Sequence, residues 1–145
     1  MKERVIQYVL KFCSIVYFAL LSYVTFFARR RNGLSDYRAR VNLRFMQNFR
    51  PYADLDMNAR YNVLSDILGN VIIFLPLAGA IYYLISKKIS NKQLFLIILL
   101  TTLTIESAQY IFNVGVFDVN DVVFNFFGGV VGMYIHKNLH RIFSK

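Results

Sequence analysis

Glu106, Asp118 and Asp121 fall in TIESAQYIFNVGVFDVNDVVFNFFGG, residues 104 to 129, among Ile, Phe and Val in a sequence that otherwise reads as membrane-spanning. A charge at mid-bilayer costs at least about 2.5 kcal/mol on insertion scales, so an intramembrane acid is read first as a functional residue. Two chemistries suit the three acids. Paired carboxyls can divide into a proton acceptor and a proton donor, the arrangement of general acid–base catalysis. Alternatively, carboxylate and carboxamide oxygens suit a divalent cation such as Mg²⁺ or Ca²⁺ that bridges to a phosphate. On either chemistry, Glu106, Asp118 and Asp121 are the candidate catalytic residues.

Helical spacing supplies their neighbours. Asp118, Asp121, Asn125, Gly128 and Gly132 recur at three- and four-residue steps and share one helix face, polar at one end and small at the other. Glu106, Gln109 and Asn113 step in the same way, as do Asn62, Asp66 and Asn70, and Ser22, Thr25 and Arg29. In an alternating four-helix topology all these stripes come to one side, which predicts a shared pocket. Asn70, Gln109 and Asn125 are its candidate binding residues. A single Asn or Gln is better read as an interhelical hydrogen bond, but three acids are costly glue without cationic partners. Arg44 and Arg50, in LRFMQNFRPY, are expected to cap the pocket and supply those cations. The competing reading has both arginines reaching to lipid headgroups.

The elements that must position these residues follow from composition. The 145 residues allow one domain, and 57% hydrophobic residues with a mean hydropathy of +0.43 exclude an ordinary soluble one. The net charge of +9 points to anionic lipid headgroups or phosphorylated lipids, and no stretch interleaves basic and aromatic residues as nucleic-acid binders do. Cys13 is the sole cysteine, so an internal disulfide and a Cys-based zinc site are excluded. His136 and His140, four apart with no Cys or carboxylate close by, read as interfacial rather than metal-binding. Beyond the divalent-cation alternative for the acids, no metal site is assigned, and no cofactor is specified.

Four apolar runs predict an all-α membrane bundle with helices at about 5–28, 66–85, 94–113 and 119–135, forming one domain over 1–145. The first run is long, rich in Phe and Tyr and without a small-x-small cleavage site, which argues against a cleaved signal peptide. Pro76 predicts a kink in the second helix that frees a backbone carbonyl. Residues 29 to 62 form a long Arg-rich connection expected at the interface, part of it lying on the membrane as an amphipathic segment. Eight basic residues on each side leave orientation undecided by count. All seven lysines belong to the terminal half, however, and the lysine side is expected to be cytoplasmic. The glycine cluster at 128, 129 and 132 predicts close small-xxx-small packing, with self-association through the Gly128/Gly132 face as one use of it.

LGNVIIFLPLAG, then ESAQ, then FDVNDVVFNFFGGVVG resemble the three signature blocks of the VanZ-like family of small bacterial membrane proteins, over roughly residues 15 to 135. The resemblance carries the family's polar positions onto Asn70, Pro76, Glu106, Gln109, Asp118, Asp121, Asn125 and Gly128. The chain departs from the pattern at Gly115, where the family commonly has Arg, and at Asn120, where it has an acid. The family's Asn-Leu-x-Pro-Phe is only echoed, in VNLRFMQNF. The resemblance implies a multi-pass protein of the bacterial plasma membrane with a link to the cell envelope, in a family named for a member associated with low-level resistance to the glycopeptide teicoplanin.

Two functions are carried forward. One is binding or modification of a membrane lipid or lipid-linked cell-wall precursor through the polar pocket. The other is a non-enzymatic scaffold that assembles with itself or with an envelope enzyme. Transport is weaker, because four helices without an inverted repeat make a small transporter.

Overall fold

The computed structural model describes residues 2–28, 41–46, 55–85 and 89–143. Its architecture is an all-α membrane bundle of four rods. The first is α1 (Lys2–Tyr23), which runs on through a π-helical turn, Val24–Ala28. The second is α2 (Met57–Phe74) followed by α3 (Leu77–Leu84), one span bent at Leu75–Pro76. The third is α4 (Asn91–Ile111) and the fourth α5 (Val119–Phe143). Arg4–Ala28, Met57–Leu84 and Asn91–Ile111 are long and apolar enough to cross a membrane. At 25 residues α5 is as long as the first of these, but Asn120, Asp121 and Asn125 make its first two turns more polar.

Several boundaries differ from those expected, each for a local reason. The second span begins at Met57 rather than Asp66, because Asp56 caps it and its side chain accepts a 2.7 Å hydrogen bond from the Ala59 N–H. Arg60 and Asn62 are therefore helical. The third begins at Asn91, where Ser90 and Gln93 form a capping box. It ends at Ile111 because Asn113 adopts a left-handed conformation (φ 56°), with the N–H groups of Asn113 and Val114 returning to the carbonyls of Tyr110 and Gln109. Asn113 thus terminates the helix and does not extend the Glu106–Gln109 stripe. The fourth runs past Ile135 to Phe143, which makes Lys137 and Arg141 helical.

Two short strands complete the fold: β1 (Val41–Asn42) pairs in parallel with β2 (Phe117–Asp118), Val41 opposite Phe117 and Asn42 opposite Asp118. Of the segment expected to lie amphipathically on the membrane, 41–46 is this strand and a turn, and the remainder lies outside the described residues.

The core gathers Phe74, Leu77, Ala78 and Ile98, with Gly128, Gly129 and Gly132 buried in α5. A Cβ at Gly128 would collide with the Val71 backbone and one at Gly132 with the Leu75 backbone. The glycine face expected to be available for self-association is therefore used inside the chain, to bring α5 against α2 and the bend. Large apolar side chains such as Tyr8, Phe12, Ile72, Leu96 and Phe127 remain exposed, as expected for a surface whose solvent is hydrocarbon rather than water.

Candidate functional site

The bend and the two ends beside it converge on a cavity of about 240 Å³ lined by Thr25, Asp66, Asn70, Glu106, Gln109, Gly115, Asp121 and Asn125, with Val24, Ile73, Phe74 and Val116. Glu106 lies five residues before the end of α4, about 7 Å at 1.5 Å per residue, and Asn125 is a similar distance into α5. The acids therefore sit toward one end of the bundle. Asp66 is exposed at this end and marks the mouth.

Each deep acid is held by a donor. Asn70, 1% exposed, donates from Nδ2 to Asp121 Oδ1 at 2.6 Å. Glu106, 2% exposed, accepts at Oε2 from the Asp118 backbone N–H at 3.3 Å and at Oε1 from Asn125 Nδ2 at 3.5 Å. These last two bonds are long. Asn125 is 3% exposed, yet its Oδ1 is buried without a hydrogen-bond partner. Such an orphan is uncommon in a native structure and calls for an explanation.

Gln109 joins α4 to the first rod, donating from Nε2 to the Thr25 carbonyl at 2.8 Å. Thr25 lies in the last turn before Ala28, where main-chain carbonyls have no intrahelical partner, and its hydroxyl donates to Leu21 O at 2.8 Å. Ser22, of the same stripe, is exposed, and Arg29 lies outside the described residues.

Asp118 does not line the cavity. Its Oδ1 accepts from the backbone N–H and the side-chain amide of Asn120, both at 2.8 Å, and its Oδ2 accepts from Asn42 Nδ2 at 3.0 Å. It caps α5 and fastens β1, and only its backbone N–H reaches Glu106. Asn120, buried, also accepts from the Met46 N–H at 2.9 Å through Oδ1. An acid there could accept but not donate to Asp118, so the amide suits this pairing. Arg44 is exposed and is not among the residues lining the cavity, while Arg50 lies outside the described residues. Among the described residues no three of His, Cys, Asp and Glu group so as to hold a metal ion.

The residue that sequence reasoning missed is Asn42. The signal was present in the echo VNLRF, but nothing in helical periodicity connects residue 42 to residue 118. Gly115 stands in the cavity wall, where an added Cβ would meet the Gln109 side chain at 3.2 Å.

Protein VanZ of Enterococcus faecium is 35% identical over 71 residues, 49% of this chain and 44% of that protein, so the match spans less than half the relative's length. No solved structure matches the chain. The VanZ/LLP1 family matches residues 12–141, nearly the whole sequence and every residue of the cavity, and the chain belongs to that family.

Proposed function

We propose that this chain is a multi-pass protein of the bacterial plasma membrane that binds a lipid or lipid-linked envelope precursor, with a hydrogen-bond-donating part of the headgroup entering the cavity between Glu106, Asp121 and Asn125. The observation that carries this reading is the buried, unpartnered Oδ1 of Asn125. A buried acceptor without a donor forfeits roughly 1–3 kcal/mol, which a ligand hydroxyl, amide or ammonium group recovers. Water can occupy the site meanwhile. The neighbouring carboxylates favour the same ligand polarity. At about 240 Å³ the cavity suits a headgroup fragment, with the apolar remainder of the ligand left among the lipids.

Binding is proposed rather than modification, because Asn70 and Asn125 engage the acids as hydrogen-bonded acceptors. Family membership supports an envelope role and, as the resemblance implies, a part in low-level glycopeptide resistance. The scaffold reading loses its best surface, since Gly128 and Gly132 pack within the chain.

Mass spectrometry of lipids retained after mild-detergent purification tests the proposal, comparing wild type with Asn125→Leu and Glu106→Gln. The expected result is one headgroup class enriched over the host membrane in wild type and lost from both variants while each still elutes as a folded species. Identical lipid profiles in all three would refute it.

A further inference from the structure

The opposite end of the bundle has inverted chemistry. A cavity of about 450 Å³ is lined there by Lys137 and Arg141 of α5, Asn91 at the start of α4, Tyr82 and His136. Lys137 and Arg141 are four apart and share a helix face. Lys137 is half-buried, its Nζ 6.0 Å from the centroid of the Tyr134 ring. His136 is shared with a second recess of about 280 Å³, a mainly apolar groove running past Cys13 and Tyr17 of α1 and Gly79 of α3 to Leu139. Gly79 forms part of the groove wall beside His136, where an added Cβ would make only ordinary contact with Nδ1, at 3.4 Å. Among the described residues no carboxylate lines either recess.

We infer that the two recesses form one binding site for an anionic phospholipid, its phosphate against Lys137 and Arg141 and an acyl chain in the groove beside Cys13 and Gly79. Charge complementarity and shape together favour this lipid. Basic pockets between membrane helices bind anionic headgroups, whereas basic residues that merely snorkel need no apolar groove beneath them. The cationic end also separates this site from the acid-lined cavity, whose polarity calls for hydrogen-bond donors. The inference is independent of the proposed function.

The test is native mass spectrometry of the whole chain released from nanodiscs of mixed phosphatidylglycerol and phosphatidylcholine. Wild type is expected to retain phosphatidylglycerol selectively. Lys137→Gln with Arg141→Gln should lower the ratio of retained phosphatidylglycerol to phosphatidylcholine by about thirtyfold, the effect of two basic residues near the surface. Cys13 is exposed, so Cys13→Phe fills the groove without disturbing the core and should displace the lipid with no change in charge. Lys92→Gln, at an exposed basic residue of the same end that lines neither recess, should leave the ratio unchanged. An unaltered ratio in the double variant, an equal fall with Lys92→Gln, or undiminished lipid with Cys13→Phe overturns the inference. Should the double variant not fold, each single substitution is expected to lower the ratio in the same direction, and failure of both to do so overturns it equally.

Discussion

The side-chain amide of Asn70 donates to Asp121 Oδ1 at 2.6 Å, linking the last turns of α2 to the first turn of α5 at the wall of the acid-lined cavity. Asn70 is 1% exposed, which makes it a fixed part of that wall. Asn70→Leu should cost about 1.5–3 kcal/mol, the range for a hydrogen bond to a charged group left unsatisfied. Exchanging the pair, Asn70→Asp with Asp121→Asn, keeps one donor facing one carboxylate and should recover at least half of the loss. Thermal unfolding in nanodiscs measures both. A pair exchange no better than Asn70→Leu would show that the hydrogen bond itself is not what the two residues supply.

The three glycines of α5 should rank by what each faces. A methyl at Gly128 or Gly132 meets backbone, which cannot move aside, whereas one at Gly129 meets Ile98 Cγ2, the end of a side chain that can rotate. Gly132→Ala and Gly128→Ala are expected to abolish the monodisperse folded species. Gly129→Ala should cost about 1–3 kcal/mol, the usual range for overpacking, and be partly rescued by Ile98→Val. Size-exclusion profiles after heating rank the variants. Gly79→Ala, where space is adequate, is the tolerated control.

The four rods, the glycine packing and the convergence of Asn70, Glu106, Gln109, Asp121 and Asn125 were legible because helical periodicity encodes which side chains share a face. The same periodicity misplaces Asp118. Its three-residue step to Asp121 put it on the stripe, but at the residue before Val119 a side chain turns back to cap the helix instead of following the face. Asn113 likewise has stripe spacing, but its left-handed backbone ends α4. The β1–β2 pairing was invisible, because two residues carry no period and residue 42 finds residue 118 only through the tertiary fold.

Asp118 therefore yields a prediction unlike the one for a catalytic acid. Asp118→Ala removes the acceptor for both Asn120 donors and for Asn42 Nδ2, and should cost about 0.5–2 kcal/mol, as lost helix caps do. Hydrogen exchange should accelerate both in 41–46 and in the first turn of α5. Asn42→Ala should accelerate the former alone. If Asp118→Ala leaves exchange in both places unchanged while ligand binding is lost, Asp118 belongs to the site after all.

The bend in the second rod supplies the last prediction. Pro76 has no N–H, and the Leu75 N–H returns to Ile72 O at 3.3 Å. The Ile73 carbonyl, which an unbroken helix would pair with the Leu77 N–H, instead accepts from Tyr17 Oη of α1 at 2.9 Å. In hydrocarbon no water replaces that donor, so Tyr17→Phe should cost about 1–3 kcal/mol despite removing one oxygen. Pro76→Ala restores the N–H and lets the helix straighten, bringing Leu77 N–H back toward Ile73 O. It should itself destabilise, because the bend aligns Leu75 with Gly132. The two losses are then expected to be non-additive: in the Pro76→Ala background, Tyr17→Phe should cost less than half of what it costs in wild type. Thermal unfolding of the four proteins in one lipid composition reads the coupling. Equal costs in the two backgrounds would mean that the tyrosine hydroxyl serves α1 packing and not the carbonyl that the proline sets free.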